Sequence, residues 1–242
     1  MNIALIGYGK MGKAIDAIAS ERGHTVTCKI SSANLSELNP MALRYADVAI
    51  EFSSPEAAFH NVKLCIDAGV PVVCGTTGWL NKIKEIEQLT LLKKGAFLHA
   101  SNFSLGVNIF FKLNEYLARI MNQFDDYNVD IKEIHHTQKI DSPSGTAIHL
   151  AEDIIKNIER KKVWTIGDIT SQPQRTIHIE SIRQDPNPGT HMIHYASDID
   201  EITISHDAKS RMGFAMGAMM AAEWIQGKSG VFSMDDVLHL SN

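Results

Sequence analysis

Short apolar runs at 2–6, 25–30, 48–52, 70–74 and 97–100 punctuate the first hundred residues, and the stretches between them carry apolar positions at helical spacing. That alternation predicts strands joined by helices in parallel βαβ units. The helix ends are marked by local chemistry. Ser54-Pro55 offers an N-cap followed by Pro at the first helical position, and Gly69 falls just past the end of that helix. Gly23 closes the helix that begins near Met11.

After Phe103 the pattern changes. A helix is predicted over 108–121, a strand over 128–134, and a second helix over 146–160, with Ala147, Leu150, Ala151, Ile154 and Ile158 on one face. Strands follow at 175–183, 191–197 and 201–206, between loops rich in Pro, Asn and Asp. Residues 212–225 are apolar nearly all round and rich in Gly and Ala, which predicts a buried, closely packed helix. Ser233 with Asp236 three residues on reads as a capping box for a short final helix. The fold class expected is α/β: a Rossmann-like doubly wound parallel sheet from 1–104 completed by 210–242, plus a second α+β domain with a mixed sheet over 105–209.

Composition narrows the partners. The chain of 242 residues carries 23 Lys+Arg against 28 Asp+Glu, a formal charge of -5, which removes the bulk attraction behind most nucleic-acid and anionic-membrane binding. Cys28, Cys65 and Cys74 are odd in number and set among aliphatic residues, as free thiols in a reducing compartment are. The apolar stretch 3–6 meets Gly7 at once, and 214–225 is shorter than a bilayer span of roughly 20 residues and contains Glu223. A cytoplasmic protein is expected.

Gly7-Tyr8-Gly9-Lys10-Met11-Gly12 follows the first strand and opens the first helix, the context that a G-x-G-x-x-G match needs for dinucleotide binding. Gly7 permits the tight turn, Gly9 the approach of a pyrophosphate, and Gly12 close helix-to-strand packing, while the first helical N–H groups face the phosphates. Ligands of open parallel sheets lie outside the carboxyl edge, so Phe52-Ser53, Gly75-Thr76-Thr77-Gly78 and Ser101-Asn102-Phe103 join the candidate site, although each also reads as an ordinary turn. The second strand ends Lys29-Ile30-Ser31-Ser32 with no acid for the ribose hydroxyls, which leaves NAD and NADP both open.

Residues 133–147, Glu-Ile-His-His-Thr-Gln-Lys-Ile-Asp-Ser-Pro-Ser-Gly-Thr-Ala, join a strand to a helix. If the strand persists through His136, then His135 and His136 point to opposite faces and cannot chelate one ion, and no Cys or His stands at the usual zinc spacing, so no metal is expected. A histidine with Lys139 supplies a group titrating near neutrality beside positive charge, and Ser144-Gly145-Thr146 at the helix start forms an anion seat suited to a carboxylate. The same residues also describe a capped helix after a surface loop.

The segment from Glu133 through Ala147 resembles the signature of the 4-hydroxy-tetrahydrodipicolinate reductase (dihydrodipicolinate reductase) family, approximately E-x-H-H-x-x-K-x-D-x-P-S-G-T-A. Gly75-Thr76-Thr77-Gly78, Ala100-Ser101-Asn102-Phe103-Ser104 and Ser210-Arg211-Met212 extend the similarity over nearly the whole chain. The resemblance implies a cytoplasmic homotetramer of the diaminopimelate route to lysine that reduces a cyclic imine dicarboxylate with a nicotinamide hydride. It implies His135 as proton donor or acceptor, Lys139 as the second catalytic residue, and His136, Ser144, Gly145 and Thr146 as substrate contacts. Gly75 to Thr77 and Ala100 to Phe103 would contact the cofactor. The sequence departs from the family in a glycine loop one residue shorter, with Lys10 in place of Arg, and in lacking a Gly shortly after Arg183 while keeping Gly189 and His191.

Because reacting atoms must come within roughly 3–3.5 Å, closure of the domains about hinges near Phe103 to Gly106 and Ala208 to Arg211 is expected. The alternative from another class is a redox-sensing regulator that binds NAD(H) without turnover.

Overall fold

The structure, a computed structural model, describes residues 1–167, 174–210 and 212–240. The first part of the chain runs β1 (Asn2–Ile6), α1 (Lys10–Glu21), β2 (Thr25–Ile30), α2 (Pro40–Leu43), β3 (Val48–Glu51), α3 (Pro55–Asp67), β4 (Val72–Cys74), α4 (Ile83–Leu92) and β5 (Ala96–His99). There follow α5 (Leu105–Met121), β6 (Asn128–His135), α6 (Gly145–Asn157), β7 (Val163–Ile166), β8 (Thr176–Arg183), β9 (Thr190–Ala196) and β10 (Glu201–Asp207). The chain ends with α7 (Met212–Trp224), β11 (Gly230–Phe232) and α8 (Met234–Val237). Two compact units result, Met1–Leu105 with Met212–Asn242, and Gly106–Arg211.

The first unit is a six-stranded sheet in the order β11-β5-β4-β3-β1-β2, parallel throughout. Successive residues of its inner strands feed two different cores. Ile3, Leu5, Val48, Ile50 and Leu98 pack with α1 and α7, whereas Ala4, Ile6, Ala49, Val72 and Phe97 pack on the other face with Val62 and Ile66 of α3 and Ile86 of α4. Burial on both faces is why these strands read as continuous apolar runs. The ends of α1 and α3 follow their sequence signals, with Gly23 and Gly69 each at φ 74°. Ser54 is the N-cap of α3 by position, but its side chain makes no capping hydrogen bond.

Helix α7 buries Ala215, Gly217, Ala218, Met219, Ala221 and Ala222, and a Cβ on Gly217 would stand 1.7 Å from the Phe103 carbonyl oxygen. The small residues therefore bring this helix onto the segment that follows β5. Ser233 and Asp236 close a capping box at α8. Strand β11 was not anticipated. It has three residues, and its place at the sheet edge comes from pairing with β5.

The second unit is a mixed five-stranded sheet in the order β10-β9-β6-β8-β7, with β9 antiparallel to β6 and β10, and β8 parallel to β6 and β7. Its core joins Phe110, Phe111 and Ala118 of α5 and Leu150 and Ile154 of α6 to Ile131, Ile179, Ile193 and Tyr195. Helix α6 stops at Asn157, earlier than the predicted 160, because Ile158 turns to extended backbone. Strand β7, also unanticipated, has an exposed and half-buried pattern with no alternation to read. Arg211, one of the resemblance and hinge positions, lies outside the described residues.

Lys161 is fully buried, its ammonium donating to Asn128 Oδ1 (2.6 Å) and the Thr176 carbonyl (3.0 Å). Burial, then the Arg160 charge, push its pKa down to about 8, with Asp130 partly offsetting them. Between this value and the unfolded value of roughly 10.4, the unfolded chain holds the extra proton, so raising pH stabilises the fold. Chemical denaturation at pH 7.5 and 9.5 should show wild type gaining stability relative to Lys161→Met by at most about 1.4 kcal/mol per pH unit. Identical pH dependences in the two proteins would refute this assignment.

Candidate active site

Strands β1, β3, β4 and β5 are consecutive neighbours in the sheet, so the loops after their carboxyl ends lie along one edge. Gly7 sits at φ 98°, and a Cβ there would stand 1.9 Å from the Phe52 carbonyl oxygen. A Cβ on Gly12 would stand 2.5 Å from the Gly7 carbonyl oxygen, which sets how closely α1 approaches its strand. Gly9 differs, since a Cβ there would meet nothing within 4 Å. It has no side-chain cap, and the first-turn N–H groups of Lys10, Met11 and Gly12 have no intrahelical acceptor. That open, N–H-lined cradle fits a pyrophosphate.

The neighbouring loops are tied together from below. The Phe52 ring packs on the Phe103 ring at 5.5 Å between centroids, and a Cβ on Gly75 would stand 2.1 Å from the Phe52 ring. Ser53 N–H donates to Thr76 Oγ1 at 2.8 Å, and Trp79 donates to the Thr76 carbonyl at 2.8 Å. Asn102 accepts from the Ser104 N–H at 2.8 Å. Ser53, Thr77 and Ser101 are exposed, and Ala100 is half-buried. Beneath them lies Glu51, fully buried, which accepts from the Ser53 hydroxyl, the Ser53 N–H (3.2 Å) and the Cys74 thiol (3.0 Å). Burial and this carboxylate push the Cys74 thiol well up. Glu51 was invisible in the sequence because a lone acid ending an apolar run carries no pattern.

Near the end of β2, Lys29 is exposed and ion-paired. Its ammonium lies 2.7 Å from Asp16 and 5.2 Å from the centroid of the Tyr8 ring, and the Tyr8 hydroxyl donates to the same carboxylate. Burial alone would raise the Asp16 carboxyl, but Lys29 and Tyr8 outweigh it and hold it low. The following turn is closed by Asn34, which accepts from Ser31 N–H (2.7 Å) and donates to Glu37 (3.0 Å).

In the second unit, β6 ends at His135, so His135 is buried in the sheet while His136 lies half-buried in the loop. Beside His135 lies Glu133, a fully buried carboxylate to which the motif assigns no role. One oxygen accepts from Ser144 N–H (3.0 Å), the Ser181 hydroxyl (2.6 Å) and Arg183 Nη2 (3.2 Å). The other lies 3.3 Å from His135 Nδ1 and 3.7 Å from His191 Nε2. Burial by itself would raise the Glu133 carboxyl. The donors, His135 and His191 first, overcome it and hold the group far below the usual carboxylate range. Burial lowers His191 despite its contact with Glu133.

Arg183 also donates to the carbonyls of Lys139 (3.3 Å) and Asp141 (2.5 Å), so one guanidinium joins Glu133 to the loop that carries Lys139. Lys139 is half-buried, with its ammonium 2.8 Å from Asp141. Ser144 caps α6 by accepting from Ala147 N–H (3.2 Å), and its buried hydroxyl lies 3.1 Å from His191 Nε2. Gly145 is exposed and Thr146 half-buried, so their N–H groups are the outward part of the helix start. The 183–191 loop keeps its tie to this segment without the expected Gly, through His136 N–H to the Asn187 carbonyl (2.8 Å) and Gln184 N–H to the His135 carbonyl (2.7 Å).

Glu133, His135 and His191 bring their ligand atoms within 4.8 Å of one another, a grouping that can hold a metal ion. Spacing could not reveal it, because His191 comes from another strand. Arg183 already places a positive charge on the same carboxylate, at its other oxygen.

A doubly wound sheet with a glycine loop at its carboxyl edge, joined to a mixed-sheet unit that carries histidine, lysine and a helix start, is the build of a dinucleotide-dependent oxidoreductase. Family models described as dihydrodipicolinate reductase N-terminus and C-terminus match residues 1–103 and 106–238. The chain belongs to the dihydrodipicolinate reductase family. It is 48% identical to the 4-hydroxy-tetrahydrodipicolinate reductase of Christiangramia forsetii, over 98% of each chain. It is 33% identical to that of Neisseria meningitidis, over 94% of this chain and 85% of the other. The fold matches the dipicolinate-bound dihydrodipicolinate reductase of Paenisporosarcina sp. TG-14 with a TM-score of 0.78, at 20% identity over 98% of each chain.

Proposed function

We propose that the chain reduces 4-hydroxy-tetrahydrodipicolinate to tetrahydrodipicolinate with NADH or NADPH, in the diaminopimelate route to lysine. The observation that carries the reading is the convergence on one carboxylate, Glu133, of the histidine, the lysine loop and the helix start of the 133–147 segment. Residues 1–104 and 210–242 would bind the dinucleotide, through residues 7–12, Phe52 and Ser53, Gly75 to Thr77, and Ala100 to Phe103. Residues 105–209 would bind the dicarboxylate and mediate assembly.

The overall change replaces a hydroxyl by hydrogen, so one hydride enters and the hydroxyl leaves as water with one proton. The nicotinamide supplies the hydride when bound. His135 supplies the balancing proton, Lys139 sets a cation beside the substrate, and the outward N–H groups of Gly145 and Thr146 hold one carboxylate with help from His136. The pairing of Lys29 with Asp16 leaves no uncommitted cation for a 2′-phosphate at that side chain, which supports use of NADH alongside NADPH.

A homotetramer is supported by surfaces that the second unit leaves uncovered. Helices α5 and α6 cover one face of its sheet, while Glu180 and Thr203 on the other stay exposed and Lys132 and His194 half-exposed. Ile109, Leu113, Tyr116 and Ile120 add an exposed apolar stripe along α5. The three free cysteines support a cytoplasmic site, and no helix among the described residues is long and apolar enough to cross a membrane.

The test is absorbance at the nicotinamide band with NADH and NADPH in parallel, with the substrate generated fresh by the preceding synthase. The band should fall only in the presence of that substrate, and the two KM values rank the coenzymes. Coenzyme binding without any oxidation would favour the regulator instead. Light scattering on the same sample should give four chains.

A further inference from the structure

The two oxygens of Glu133 have different work. Oε1 takes three donors: the Ser144 N–H, the Ser181 hydroxyl and the Arg183 guanidinium. That oxygen cannot rotate away without breaking all three bonds at once, which fixes the plane of the carboxylate. Oε2 is thereby left facing His135 Nδ1 at 3.3 Å, and neither of these two buried atoms has a hydrogen-bond partner among the described residues, so each is the nearest group that can satisfy the other. The second imidazole near Oε2, His191, meets the His135 ring edge-on at 4.9 Å and is pushed toward its neutral form by burial. At the opposite side of the His135 ring stands Gly189, where an added Cβ would lie 3.0 Å from Nε2. The lack of a side chain at position 189 leaves that nitrogen approachable.

We infer that Glu133 is the positioning carboxylate of His135, holding the proton of the neutral ring on Nδ1 so that Nε2 is the atom that exchanges a proton with substrate. This rests on the reading of His135 as proton donor. In the donating step the imidazolium N–H bond at Nε2 breaks, its electron pair stays on Nε2, and the proton leaves with the departing hydroxyl as water. The ring is left neutral with its remaining proton on Nδ1 facing Glu133, so the carboxylate stabilises the charged ring and dictates the tautomer of the neutral one. The Arg183 guanidinium, which also holds the Lys139 and Asp141 carbonyls, ties this orientation to the placement of Lys139.

Glu133→Gln makes the idea sharp. Oε1 must remain an oxygen to satisfy its three donors, so the new amide nitrogen would face His135 Nδ1 and demand an acceptor there, driving the ring proton to Nε2. Long-range proton–nitrogen correlation spectra of the 15N-labelled protein, with His135 assigned through His135→Gln, should show the Nδ1–H tautomer in wild type and the Nε2–H tautomer in Glu133→Gln. Turnover of Glu133→Gln should fall by roughly 10²-fold with both KM values changed less than about threefold, and Glu133→Asp should recover part of the loss. A wild-type ring in the Nε2–H tautomer would overturn the inference, and that measurement stands even if the variant fails to fold. So would wild-type turnover in Glu133→Gln while His135→Gln is inactive. Full activity of His135→Gln would instead remove the role assigned to His135 itself.

Discussion

His135→Gln is expected to lower turnover by roughly 10²–10⁴-fold, the range that a positioned proton donor contributes. The amide is close in size to the imidazole and keeps a hydrogen-bonding group against Glu133, but it cannot release a proton near neutral pH. Since His135 is buried at the end of β6, no solvent-exposed neighbour can take its place at that point of the strand. Lys139→Met should act differently. It keeps the length of the side chain and removes the charge beside Asp141, so the dicarboxylate should bind more weakly and turnover should fall as well. Steady-state kinetics with substrate and coenzyme varied separately resolve the two patterns. Near-wild-type turnover in both variants would sink the proposed mechanism.

The second large effect is on stability. Gly217→Ala places a methyl group 1.7 Å from the Phe103 carbonyl oxygen and 2.8 Å from its carbon, both backbone atoms that cannot swing aside. Alanine would gain about 1 kcal/mol of helix propensity in α7. Overpacking against backbone opposes this with about 1–3 kcal/mol or more, so the fold should lose stability on balance, seen as a thermal midpoint several degrees lower. Coenzyme binding should weaken too, because Phe103 packs on Phe52 in the loops along the sheet edge. Gly9→Ala provides the contrast. Its backbone is already extended (φ -87°, ψ -150°) and a methyl group meets nothing within 4 Å. Thermal stability should be unchanged while coenzyme KM rises, since the methyl group would occupy the space left for a pyrophosphate. A normal coenzyme KM in Gly9→Ala would remove the glycine loop from the binding site.

Much of the fold was legible because it depends on local chemistry. Continuous apolar strands, Ser54-Pro55, Gly23, Gly69 and the Ser233–Asp236 box each announce themselves within a few residues, and the strands at 2–6 and 25–30 stand where the pattern places them. The elements missed were β7 and β11, three or four residues long with no alternation, which exist because a neighbouring strand offers hydrogen bonds at a sheet edge. The candidate site divides in the same way. His135, Lys139 and Gly145 lie close together in one segment and could be read as a group. Their common partners could not: Arg183 and Ser181 come from β8 and His191 from β9, some fifty residues on. The partner of the exposed Lys29 is likewise set by packing, since Asp16 comes from the helix before its strand.

The sequence by itself determined the order of the longer elements, the doubly wound first sheet, the glycine loop and the identity of the 133–147 segment, because each is written in neighbouring residues through turn chemistry and hydrophobic period. Only the tertiary structure decided that Glu133 gathers the histidines, the arginine and the helix start around one buried carboxylate, and that Glu51 does similar work beneath the sheet-edge loops. A buried charge survives only where donors from separate strands converge to replace its water, and such convergence has no local signature.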